Sequence, residues 1–183
     1  MRNHAFFAHD GVIQEEAASV LADVYALYEM ETYEIFNDPR DTFFELRTYV
    51  SDRMEKSLVT LASLARVNDD GGAGFANHME QRPDGVGILT ESGKQTALTA
   101  REACNKIIHA KFARIHLKRS DSHPIYQHLL DRDFPGQRRT FLRPHLVLAG
   151  DRINGKEWEA TLDVVQWIHA VLHFSTSYGI KHG

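Results

Sequence analysis

A single cysteine, Cys104, rules out a disulfide within the chain and a zinc site built on several thiolates. That scarcity suits a reducing compartment. No stretch approaches the roughly 20 apolar residues that a membrane span requires. The segment Met1-Arg2-Asn3-His4-Ala5-Phe6-Phe7 lacks the apolar core of a signal peptide. The expectation is a cytoplasmic protein with no membrane partner. There is no Gly-x-Ser-x-Gly elbow, and Gly85-Val86-Gly87 lacks the further glycines and the lysine of a phosphate loop. Internal repeats and low-complexity tracts are also missing. What remains is of ordinary composition, 43% hydrophobic and 25% charged, and fits one folded domain over residues 1–183.

Charge is unevenly placed. Residues 1–100 carry 8 Lys/Arg against 17 Asp/Glu, residues 101–143 carry 10 against 4, and the last forty carry 3 against 4. The middle segment holds Lys106, Lys111, Arg114, Lys118, Arg119, Arg132, Arg138, Arg139 and Arg143. Such a concentration either attracts phosphate or pairs with the acidic first half.

Periodicity predicts mostly helix. Val12, Ile13, Ala17, Val20, Leu21, Val24, Leu27 and Tyr28 repeat at three and four residues, giving a helix from about 12 to 36 that Asn37-Asp38-Pro39 ends. A second helix runs from 42 to about 67, and the short connection makes the two an antiparallel hairpin. The glycine-rich region from 68 to about 93 reads as irregular, either a lid or a connector. A third helix starts at Ser92 or Thr99, which head capping-box patterns with Gln95 and Glu102, and continues through Leu117. A short helix covers 124–130 and a basic loop 131–143. Asn154-Gly155 between short apolar runs marks a β-hairpin over 144–161, inserted in the helical domain. A last helix spans 162–178. The expected fold is therefore mainly α: a bundle of long antiparallel helices with one hairpin near the C-terminus.

The third helix carries the one constellation that points to chemistry. Arg101, Asn105 and His109 recur every four residues and share a face flanking the apolar stripe of Cys104, Ile107 and Ile108. An arginine, an amide and an imidazole so stacked can bind a phosphate and move a proton.

Asn105-Lys106-Ile107-Ile108-His109 resembles the motif of the HEPN superfamily, in which an arginine, a polar residue, three further residues and a histidine follow in order. Asn105 and His109 match its last two elements. The position just before Asn105, where the family has arginine, is Cys104, and Arg101 lies one turn earlier. The resemblance implies a helical homodimer acting on RNA, in some members as a metal-independent ribonuclease of a defence or toxin system. His109 would then exchange a proton, Arg101 stabilise phosphoryl charge and Asn105 either orient the imidazole or hydrogen-bond the phosphate. Lys106, Arg114, Lys118 and Arg119 would follow the RNA backbone, with no metal or other cofactor.

Two other readings stand beside it. The polar stripe also suits a hydrogen-bond network, with Arg101 paired to an acidic residue of the first two helices, in a non-catalytic interaction or dimerisation module. His169 and His173, at i and i+4, have chelating spacing, with His145 or Asp163 as a third ligand, but packed core histidines fit the same pattern. Cys104 falls in the apolar stripe and reads as a small hydrophobe. The aromatics read as helix core rather than stacking platforms on a sheet.

Overall fold

The computed structural model of the protein describes residues 10–32, 42–71, 85–123, 126–153 and 155–179. The first two elements are the expected helices. Helix α1 spans Asp10–Thr32 and α2 spans Thr42–Gly71. They run antiparallel: Leu27 and Tyr28, late in α1, line one cavity with Arg47 and Ser51, early in α2. Between them Arg53 donates to the carboxylate of Asp23, whose side chain is fully buried. Ile13, Ala17, Val20 and Val24 of α1 are buried with Leu58, Leu61, Ala62 and Ala65 of α2, as the apolar spacing requires.

Beyond α2 the structure departs from a helical bundle. Strands β1 (Gly87–Glu91) and β2 (Lys94–Leu98) precede α3 (Ala100–His109), and β3 (Phe112–Ser120) follows it. Then come a short α4 (Gln127–Asp133), strands β4 (Phe141–Asp151) and β5 (Glu157–Asp163), and the closing α5 (Val164–Gly179). The strands form one antiparallel sheet in the order β2-β1-β5-β4-β3. The protein is thus mixed α and β, not mainly α. The hairpin expected over 144–161 is real, but its strands β4 and β5 lie inside a five-stranded sheet rather than forming an insertion.

Local chemistry explains the correction. Ser92 and Gly93 both have positive φ (51° and 77°) and join Glu91 to Lys94 in a two-residue turn, the form whose twist matches paired strands. Ser92 is therefore a turn residue and caps no helix. Thr99 is the cap: its side chain accepts from the Glu102 backbone N–H at 3.1 Å. Helix α3 then stops at His109, because the Lys111 N–H donates to the Ala149 carbonyl at 2.9 Å and the chain enters the sheet. In β3, Ala113, Ile115 and Leu117 alternate with Arg114, His116 and Lys118, a period of two that overrides the helical spacing of Phe112 and Ile115. The region expected to be irregular is helical to Gly71 and a strand from Gly87; residues 72–84 lie outside the described residues.

One face of the sheet is the floor of the core. Leu89, Leu98, Leu146, Leu148, Trp158, Ala160 and Leu162 are buried there with Ala103, Cys104 and Ile107 of α3 and Trp167, Ile168 and Val171 of α5. Helix α2 packs on α3 and α1 on α5. The opposite face stays accessible, with Ile88 and Phe112 half exposed. Strand β3 forms one edge, so one side of its backbone pairs with β4 and, among the described residues, the other has no strand beside it. Among the described residues, no helix is long and apolar enough to cross a membrane.

Candidate functional site

Helix α3 places Arg101, Asn105 and His109 on one flank, but each is engaged differently. The Arg101 guanidinium reaches α2, pairing with Asp69 and, at 3.0 Å, with Asp70. Arg66 approaches the same two carboxylates at 3.5 and 3.1 Å. The Asp69 side chain is fully buried, so this ionic knot fastens α2 to α3. Asn105 donates its amide to Glu102 Oε2 at 3.2 Å. His109, the last residue of α3, is exposed and stands roughly 12 Å along the axis from Arg101 at 1.5 Å per residue. Lys106, expected to follow a nucleic-acid backbone, is buried instead. It lies 4.4 Å from the centre of the Trp158 ring and pairs with Glu91 and Glu102 at 3.2 and 3.3 Å.

The other three cations of that expectation share β3. Arg114, Lys118 and Arg119 are exposed and make no ion pair among the described residues. Most neighbouring cations are neutralised: Lys111 by Asp151, Arg132 by Asp133, Arg143 by Asp163 and Arg152 by Glu91. Arg114 and Lys118 point to the accessible face of the sheet with His116. Arg119 points to the opposite face with Ala113, Ile115 and Leu117.

Below this second face runs a groove, closed on its far side by α1 and α2. A cavity of about 400 Å³ is lined by Leu27, Met54, Ile115, Leu117 and Leu146 together with the polar residues Tyr28, Arg47, Ser51, Glu55, Arg114 and His116. A smaller one of about 160 Å³ continues it past Leu58, Val59, Ile107 and Leu148. The two share Glu55, Ala113 and Leu146, so they form one groove of mixed polar and aliphatic lining along the edge of β3. A period-two reading of 112–120 would have revealed the strand. The groove depends on how the helical hairpin seats, which no local pattern encodes.

On the accessible face, register places His116, His145 and Asp163 in a row across β3, β4 and β5. Asp163 is committed: Arg143 Nε donates to its Oδ2 at 2.9 Å and the Gln166 N–H to its Oδ1 at 3.0 Å, capping α5. Burial pushes the His145 imidazole below its usual pKa, and Lys118, Arg143 and His116 press the same way against the pull of Asp163. Its Nδ1 is buried and has no hydrogen-bond partner among the described residues. His123, edge-on to Phe141 at 5.1 Å, is also pushed down, by burial and then by Arg143. A broader depression of about 640 Å³ lies beside Phe112 and Thr90, but Glu157 and Glu159 line it. The aromatics are thus not all helix core, since Phe112 and Phe141 sit on strands.

His169 and His173 stack in parallel, ring centres 6.0 Å apart, and no group of three metal-ligating side chains occurs among the described residues. Cys104 is fully buried in the core, as its place in the apolar stripe requires. Against protein-family models, curated proteins and solved structures, the chain finds no match.

Proposed function

We propose that the protein is an interaction module that takes an extended peptide segment along the free edge of β3. The carrying observation is the groove beneath that edge, which has the aliphatic side chains of Ala113, Ile115 and Leu117 on one side and Met54 and Leu58 on the other. Strand addition of this kind draws affinity from main-chain hydrogen bonds, and selectivity from pockets that receive alternate side chains. The ionic knot at Arg101 supports the reading, because it makes the most reactive-looking face of α3 part of the architecture.

The test is a calorimetric titration with a capped peptide that alternates valine with polar residues. Ala113 is exposed and lines both cavities, so Ala113→Trp fills the groove without entering the core. The expected result is saturable binding to the wild type and at least a tenfold loss in the variant at unchanged melting temperature. Equal binding by both proteins, or none by the wild type, contradicts the proposal.

RNA is a second reading, favoured by the exposed Phe112 beside Arg114 and Lys118 on the accessible face. In its HEPN-like form, a homodimer would cleave RNA through His109, with Arg101 drawn away from Asp69 and Asp70. That form requires metal-independent cleavage that His109→Ala abolishes.

A further inference from the structure

The chemistry of the partner can be read from β3, given the strand-addition reading above. A segment pairing with β3 sets its own side chains alternately on the two faces of the sheet, each beside the β3 residue it opposes. Residues opposite Ala113, Ile115 and Leu117 enter the groove, whose floor is Leu27, Met54, Leu58, Ile107 and Leu146. Apolar side chains suit the aliphatic stretch they meet there, although Ser51 and Glu55 line the same groove. Residues opposite Arg114 and Lys118 lie on the accessible face within reach of two cations that make no ion pair among the described residues.

From this we infer that the partner is an acidic extended peptide, with apolar side chains at every second position and carboxylates at two of the positions between, four residues apart. The spacing follows from Arg114 and Lys118, and the pocket pattern from Ala113, Ile115 and Leu117. Charge opposes the obvious competitor, a second copy of the chain, in the register centred on His116. Two β3 strands paired antiparallel about His116 set Arg114 opposite Lys118 twice, and like charges directly opposite one another destabilise a sheet. The same cations therefore oppose that self-association and select an acidic strand.

The experiment is fluorescence anisotropy with labelled, end-capped Val-Glu-Val-Thr-Val-Glu-Val, compared with the same peptide carrying lysine at both glutamate positions. The acidic peptide is expected to bind at least tenfold more tightly, an advantage that falls with added salt. The double variant Arg114→Glu, Lys118→Glu should reverse the preference. Because both side chains are exposed, its circular dichroism and melting temperature should match the wild type. Equal binding of the two peptides overturns the charge inference and leaves strand addition standing. Binding of neither overturns strand addition itself. A preference for glutamate that survives the double variant places the selecting charge elsewhere and also overturns the inference.

Discussion

Arg101 of α3 is ion-paired to the fully buried carboxylate of Asp69 in α2. An arginine that looks available for phosphate in the sequence is thus the tie between the helical hairpin and the helix that lies on the sheet. Arg101→Ala should destabilise the protein by about 1–3 kcal/mol, because it leaves a buried acceptor short of a donor. His109→Ala, at the exposed end of the same helix, should change stability by less than about 0.5 kcal/mol. Urea unfolding of the two variants checks the contrast. Equal and small effects would remove Arg101 from the architecture.

Gly87 lies opposite Leu162 where β1 pairs with β5. A Cβ there would stand 2.0 Å from the Thr161 carbonyl oxygen, a backbone atom that cannot swing away. Gly87→Ala should therefore separate the two strands and cost about 1–3 kcal/mol or more. A glycine with no such neighbour is the control: Gly136 would meet nothing within 4 Å, although its φ of 76° makes alanine mildly strained there. Thermal melts of the two variants should differ clearly, with Gly87→Ala the lower.

Cys104 should be inert in the folded protein. Burial pushes its thiol pKa up to about 11, so almost no thiolate exists at pH 8 and reagents cannot reach it. Thiol titration at pH 8 should show no reaction until denaturant is added, then one equivalent. Prompt labelling of the native protein would contradict the packing of α3 on the sheet.

Acidification should weaken the protein before its carboxylates titrate. Burial lowers the His145 pKa below that of the unfolded chain, and His123 is lowered too. Below about pH 6.5 the unfolded state binds protons that the folded state resists, so stability falls as pH drops from there toward the folded values. The melting temperature should decline from pH 7.5 to 5.5, and decline less in His145→Gln. An identical slope in the variant would mean that His145 is not held neutral.

The fold was partly legible in the sequence. The α1 and α2 pair, the Thr99 cap, the β4–β5 hairpin and α5 all have local signals: apolar spacing, a capping threonine, Asn-Gly. Two elements were hidden by ambiguity in those same signals. Ser92-Gly93 reads equally as a hairpin turn and as a helix start. Residues 112–117 continue the helical spacing of α3 by chance, while the decisive interaction, Lys111 N–H with the Ala149 carbonyl, is nearly forty residues away in sequence. The concentration of cations was visible, but its meaning was not. Only the structure separates Lys106, buried against Trp158, from Arg114 and Lys118, which make no ion pair among the described residues.

The most direct test of the central claim is amide hydrogen exchange, resolved residue by residue by NMR, with and without the Val-Glu-Val-Thr-Val-Glu-Val peptide. Edge-strand pairing predicts that alternate amides of Phe112–Ser120, the ones turned away from β4, become protected at saturation, while α3 and the β1–β2 edge do not change. Protection confined to α3 around His109, or none along β3, would contradict it.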